Sequence, residues 1–142
     1  MNFVYSDGGR VDSGYRGKTG DCGVRALAIV TGRSYREIWE AVCEMGAKER
    51  IGKRKKSRSH PASGIYRPTM DKLCTRYGGI WNPTMTIGSG CRVHLNHFEL
   101  PVGRLIARVS KHYVALIDGV IFDTHNPMRD GSRCVYGYWI FS

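Results

Sequence analysis

The feature that most constrains the fold of this chain is an apolar segment, Gly20 to Val30, with a cysteine close to its start. It predicts a helix, because Asp21 or Gly20 can cap the N-terminus and Gly32 can end it. Apolar side chains occupy nearly every face, so this helix should lie at the centre of the fold. Cys22 would stand in the first turn, where backbone N–H groups and the helix dipole favour a thiolate. Such a thiol is typical of a cysteine nucleophile, although a core cysteine can also begin a helix.

Length and composition favour one soluble domain covering residues 1–142. An apolar content of 42% argues against disorder, and no segment has the ~18 apolar residues of a membrane span. Residues 1–7 lack the basic and apolar regions of a signal peptide. We therefore expect a cytoplasmic protein without a membrane partner. Its five cysteines should be reduced thiols, because they are odd in number and contain no C-x-x-C pair.

Three helices are predicted in the first half of the chain, over about residues 20–78. After the Cys22 helix, the sequence from Ser34 to Glu37 is a capping box that begins a second helix, whose apolar stripe includes Cys43 and which ends at Gly46. A third helix begins near Pro68 and buries Cys74 on its apolar face.

Short β-runs dominate the second half, about residues 80–142. Helices followed by strands predict an α+β fold, with an antiparallel sheet packed on the N-terminal helices. Residues 1–19 indicate an edge strand or coil. The expected strands are 80–81, 84–87, 92–95, 104–109, 112–117, 120–124 and 134–141.

One loop, about residues 47–64, supplies most of the formal net charge of +10. A basic segment of this kind favours weak binding to nucleic acid or to an acidic protein. A solvated loop that aids solubility fits the pattern equally well. The residues expected to contact a polyanion are Lys53, Arg54, Lys55, Lys56 and Arg58.

A second informative stretch, from His112 to His125, predicts a β-hairpin. Asp118-Gly119 between two apolar runs is a strong signal for a two-residue turn. The side-chain period of two then places His112, Asp123 and His125 on one face of the sheet. The pairs that this turn predicts are Ile117 with Val120, Val114 with Asp123, and His112 with His125.

Cys22, His112 and Asp123 together have the residue types of a catalytic triad. The imidazole would take the proton of the thiol, and the carboxylate would fix the tautomer of the imidazole. Taken alone, each residue is more commonly structural, and it is their conjunction that predicts catalysis. His125 and Asn126 are alternative orienting residues.

No metal or cofactor is expected. Cys91, His94 and His97 are possible zinc ligands. The strand expected here would place Cys91 and His94 on opposite faces, and no fourth ligand is apparent.

The two stretches resemble papain-like cysteine peptidases of the C39 type. The segment from Asp21 to Val30 is similar to the D-C-G start of their central helix, and the segments from His112 to Leu116 and from Phe122 to Pro127 resemble their histidine strand and aspartate–proline segment. The resemblance implies a papain-like fold, a protein or peptide substrate, and cleavage of a peptide or isopeptide bond. It also implies Cys22 as nucleophile, His112 as base and Asp123 as orienting acid.

The whole chain is also similar to phage and prophage proteins with a G-D-C helix and an H…D hairpin. This resemblance implies a protein of the host-cell cytoplasm that acts on phage or host proteins. An alternative is a catalytically inactive papain-like relative that binds nucleic acid or protein through the basic loop.

The oxyanion position departs from the peptidase pattern. Papain-like peptidases usually have a glutamine shortly before the cysteine, but Arg16 stands there and the chain contains no glutamine. The backbone N–H of Cys22 is one predicted donor, and Arg16, Lys18 or Thr19 would supply the other.

Overall fold

The computed structural model describes residues 2–17, 19–86, 88–96 and 98–142. These residues form an α+β fold, which confirms the predicted fold class. The helices are α1 (Cys22–Thr31), α2 (Tyr35–Ala47) and α3 (Arg67–Arg76). The strands are β1 (Asn2–Tyr5), β2 (Gly79–Pro83), β3 (Val93–His94), β4 (Arg104–Val109), β5 (His112–Ile117), β6 (Val120–Asp123), β7 (Cys134–Val135) and β8 (Gly137–Phe141).

Six of the strands form one sheet in the order β1-β6-β5-β4-β8-β2. Its pairings are antiparallel except that β1 lies parallel to β6 at one edge. The remaining two, β3 and β7, form a separate antiparallel pair. The expected strand at 84–87 is not formed in its described residues, and the one expected over 134–141 is interrupted at Tyr136.

Helix α1 is central, as its composition predicts. Val24, Leu27 and Val30 are buried in the core between the helices and one face of the sheet. Gly32 ends the helix in the left-handed conformation and donates its N–H to the carbonyl of Ala28. Asp21 occupies the N-cap position, but its side chain makes no capping hydrogen bond, because the buried carboxylate serves other partners described below.

The hairpin of β5 and β6 has the predicted register. Ile117 lies opposite Val120, and both Asp118 and Gly119 have a positive φ, as a type I′ turn requires. This register carries His112 and Asp123 to the end of the hairpin that is remote from the turn.

Helix α2 begins as predicted, with the hydroxyl of Ser34 accepting from the N–H of Glu37. The prediction that Cys43 lies in the core is wrong, because its side chain is exposed. The buried stripe instead includes Ile38, Ala41 and Val42, and Cys43 follows Val42 by about 100° around the helix. The helix also continues one residue past Gly46.

The expectation of five reduced cysteines is also wrong, because Cys91 and Cys134 form a disulfide. Pairing of β3 with β7 places Cys134 opposite His94 and brings the Cα atoms of the two cysteines to 5.8 Å. That separation suits a disulfide. The bond between distant parts of the chain follows from strand pairing that spacing alone does not reveal.

None of the helices in the described residues combines the length and apolar character needed for a bilayer crossing.

Candidate active site

Cys22 is the first residue of α1, and its side chain is partly exposed. Burial would raise the pKa of its thiol, but a side-chain hydrogen bond with His112 and the charge of that imidazole together outweigh burial. The pKa of Cys22 therefore lies below its ordinary value. By contrast, burial raises the pKa of the Cys74 thiol in the core. The site thus favours the thiolate form of one particular cysteine.

His112 begins β5 and points its Nε2 atom at the carboxylate of Asp123, with 2.6 Å between Nε2 and Oδ2. Because Nε2 is engaged there, Nδ1 is the ring nitrogen left for the thiol of Cys22. Burial opposes the charged imidazole, but the hydrogen bonds with Asp123 and Cys22 raise the pKa of His112 to about 9. The cationic form of the imidazole is therefore favoured between Asp123 and Cys22.

Asp123 ends β6, and its side chain is 4% exposed. Its Oδ1 atom accepts from the N–H of Thr124 at 2.7 Å and lies 3.7 Å from the guanidinium of Arg25. Burial would raise the pKa of this carboxyl, but the hydrogen bond and charge of His112 hold it below the ordinary value. Asp123 is thus a fixed anion that orients the imidazole.

A second buried carboxylate lies behind this group. Asp21 accepts a hydrogen bond from Arg25 Nη1 at 2.5 Å and another from the hydroxyl of Tyr35 at 2.6 Å. Arg25 therefore lies between two carboxylates, those of Asp21 and Asp123. The sequence analysis missed both Asp21 and Arg25 as site residues. The sequence signal for this pair is that Arg25 is a charged residue inside an otherwise apolar helix and follows Asp21 by four positions.

The alternative orienting residues, His125 and Asn126, make different contacts from those of Asp123. The ring of His125 is 5.1 Å from that of His112, and its Nδ1 atom is 3.9 Å from Asp123 Oδ1. The side chain of Asn126 accepts from the N–H of Met128 and so serves a turn. Of these residues, Asp123 is the one hydrogen-bonded to the imidazole of His112.

The same corner has donors that suit a metal ion. Among the described residues, His112, Asp123 and His125 offer three ligand atoms that all lie within 4.8 Å of one another. Imidazole nitrogens and carboxylate oxygens are common zinc ligands. A metal here would have to displace the hydrogen bond between His112 and Asp123.

Cys22 and His112 open onto a cleft of about 550 Å³. One wall is the segment from Ser63 to Arg67, which packs close to the start of α1. The other wall runs from Arg108 to Tyr113, at the turn between β4 and β5. The cleft exposes the thiol of Cys22 and the imidazole of His112 to the same space.

The predicted oxyanion donors are not gathered at the cleft. Arg16 and Thr19 are exposed, and neither is among the described residues that line the cleft with Cys22. Lys18 lies outside the described residues. The identity of the second donor stays a prediction.

The basic loop divides into tethered and outward-facing residues. Lys55 pairs with the carboxylate of Glu49 at 2.9 Å, and Arg58 donates to the carbonyl of Glu49. Lys53, Arg54 and Lys56 are exposed. Lys55 and Arg58 thus already have a partner within the protein, and binding of a polyanion by this loop stays a prediction.

Comparison with models of protein families, with curated proteins and with solved structures finds no match. The resemblance to papain-like peptidases therefore stays a prediction, and the argument for function depends on the geometry of the site.

Proposed function

We propose that this protein is a cysteine hydrolase that cleaves a peptide or isopeptide bond through Cys22, His112 and Asp123. The observation that carries the proposal is that His112, which is hydrogen-bonded to Asp123, lines the same open cleft as the thiol of Cys22. Peptidases need this order of groups, because the acid orients the imidazole and the imidazole activates the thiol.

The chemistry proceeds in two halves. The thiolate of Cys22 attacks the carbonyl carbon, and the C–N bond breaks as the imidazolium of His112 gives its proton to the leaving amine. This leaves a thioester on Cys22. Neutral His112 then takes a proton from water, whose oxygen attacks the thioester and releases a carboxylic acid. The last transfer restores the thiolate–imidazolium pair.

A papain-like arrangement is part of the proposal. Its support is that the nucleophile begins the central helix, while the base and the acid lie on adjacent strands of the sheet packed against that helix. The resemblance to phage proteins extends the proposal to phage or host proteins as substrates, within the host-cell cytoplasm.

The proposal is tested without a known substrate by the rate of thiol alkylation against pH. With iodoacetamide in limiting amount, mass mapping should find Cys22 labelled before Cys43 and Cys74. In the wild type, the rate should rise at a pH below the ~8.5 of a free cysteine, because His112 stabilises the thiolate. In His112→Ala that step should move to higher pH, since only the backbone of Tyr113 and the charge of Arg25 then oppose the effect of burial on the pKa of Cys22.

His125→Ala is the matched control, since it removes an imidazole that lies beside His112 and Asp123 but is not among the described residues that line the cleft with Cys22, and it should keep the wild-type profile. Identical profiles in the wild type and His112→Ala, with an ordinary thiol pKa in both, would contradict the proposal. The inactive, polyanion-binding alternative would then be favoured.

A further inference from the structure

We propose that the cleft beside Cys22 binds an acidic side chain of the substrate, with Arg67 and Arg108 as the residues that hold its carboxylate. The inference depends on the proposed function, because it names the class of peptide that the same site would accept.

Apart from the thiol of Cys22, the charged side chains among the described lining residues of the cleft are all basic. Arg67, Arg108 and Lys111 line it together with His112, and no Asp or Glu is found among those residues. A cleft lined by cations concentrates anionic ligands and raises their association rate. The lining therefore selects for a negatively charged substrate.

Both guanidinium groups are held in place by aromatic rings. The Cζ atom of Arg67 lies 4.6 Å from the ring centre of Trp81, and that of Arg108 lies 5.4 Å from the ring centre of Tyr136. Stacking occupies the face of a guanidinium and leaves its N–H edge available. In the part of the chain that the structure describes, neither Arg67 nor Arg108 pairs with a carboxylate. The two edges are therefore free for a bidentate carboxylate from a ligand.

A neighbouring hollow extends this binding surface. Arg67, Arg108 and Tyr136 also line a second cleft of about 320 Å³, whose other walls include Trp81 and Met85. The two clefts share these three residues, so the guanidinium groups lie between the nucleophile and an apolar surface. An extended peptide could place an acidic side chain on the arginines and an apolar one beyond them.

A peptide fits this surface better than a nucleic acid. The first cleft holds Cys22 and His112, whose chemistry is directed at an acyl carbon, and nucleic-acid backbones contain none. The carboxylate of Asp or Glu is the acidic group that a peptide carries next to its acyl bonds.

The first test compares two alkylating agents of similar size, iodoacetate and iodoacetamide. The ratio of their rates at Cys22 reports attraction of the carboxylate and corrects for changes in thiol reactivity. In Arg67→Gln and in Arg108→Gln the ratio of iodoacetate to iodoacetamide should fall about threefold to tenfold at low salt. Arg76→Gln is the matched control, because it removes the same charge at the other end of α3, outside this cleft, and should leave the ratio unchanged.

The second test uses protection of Cys22 from iodoacetamide. An N-acetylated octapeptide of alternating Gly and Glu should slow alkylation of the wild type, and its Gly–Gln isostere should not. Protection should weaken in Arg67→Gln and Arg108→Gln but persist in Arg76→Gln. Equal protection by the two peptides, or stronger protection by a single-stranded oligonucleotide, would overturn the inference. So would rate ratios that the arginine substitutions leave unchanged.

The two proposals fail in different ways. If Cys22 has an ordinary thiol pKa, the proposed hydrolase function is wrong. If its pKa is lowered but its alkylation rate does not depend on the charge of the probe, only the inference of an acidic substrate is wrong.

Discussion

Arg25 is a buried cation that lies next to two carboxylates behind the proposed site, those of Asp21 and Asp123. Its guanidinium, 6% exposed, lies within 4.0 Å of both the Asp21 and the Asp123 carboxylates. A buried ion pair adds little net stability, because desolvation offsets the attraction. Removing one partner is costly, since it leaves a buried charge uncompensated.

We therefore expect Arg25→Met to lower the free energy of unfolding by about 3 kcal/mol. Adding Asp21→Asn should restore part of the loss, because the buried Asp21 carboxylate has lost its closer cation and keeps only Arg10, at 3.4 Å, among the cations paired with it in the described residues. Urea denaturation of the wild type, both single variants and the double variant at neutral pH measures the coupling. Additive losses in the double variant would show that the two side chains act independently.

Local sequence patterns bring out Cys22, His112 and Asp123 as candidates, whereas the contact between Arg25 and Asp123 depends on how separate elements pack. Cys22 was found from a local signal, the start of an apolar helix, and His112 and Asp123 from the two-residue period of a hairpin. The partners of Arg25 include Asp123, which another element brings to it. Such contacts depend on how elements pack, and periodicity within one element does not report them.

Glu49 forms the hydrogen bonds that hold the basic loop against helix α3. It follows α2, and its carboxylate accepts hydrogen bonds from the backbone and hydroxyl of Ser59 and from the hydroxyl of Thr69 in α3. Lys55 adds an ion pair. Burial opposes the charge, yet these bonds hold the pKa of Glu49 at about 2.

Replacing Glu49 by Gln should lower the free energy of unfolding by about 1–3 kcal/mol at neutral pH. The folded pKa lies below the unfolded value of ~4.3, so the contribution is present above that value and is lost as pH falls towards about 2. The difference in unfolding free energy between the wild type and Glu49→Gln should therefore become smaller as the pH falls from about 4.3 to about 2. Denaturation curves measured at several pH values check this. Glu44→Gln is the control, since its exposed carboxylate pairs only with Lys48, and its effect should be small at every pH.

The disulfide between Cys91 and Cys134 links two distant parts of the chain. Cys91 and Cys134 are separated by 43 residues, and the loop that they close contains β4, β5 and β6. It therefore encloses both the base and the acid of the proposed triad. A cross-link across a loop of this length restricts the unfolded chain more than the folded one.

The variant with Cys91→Ser and Cys134→Ser should lose about 3–4 kcal/mol of unfolding free energy. Cys43→Ser, which removes an exposed free thiol, should lose little. Guanidinium denaturation measures the unfolding free energy of both variants. A separate thiol titration of the unfolded, unreduced wild type should find three free thiols, those of Cys22, Cys43 and Cys74. Five titratable thiols would contradict the disulfide.

The order of the elements along the chain has a consequence for biosynthesis. A ribosome makes the helix that carries Cys22 early, but His112 and Asp123 come late, on strands β5 and β6. Strand β4 lies in the sheet between β5 and β8, and β8 follows β5 and β6 in the sequence. A nascent chain that ends before β5 lacks the imidazole that lowers the pKa of Cys22. The lowered pKa of this thiol therefore depends on strands that are synthesised about ninety residues after it.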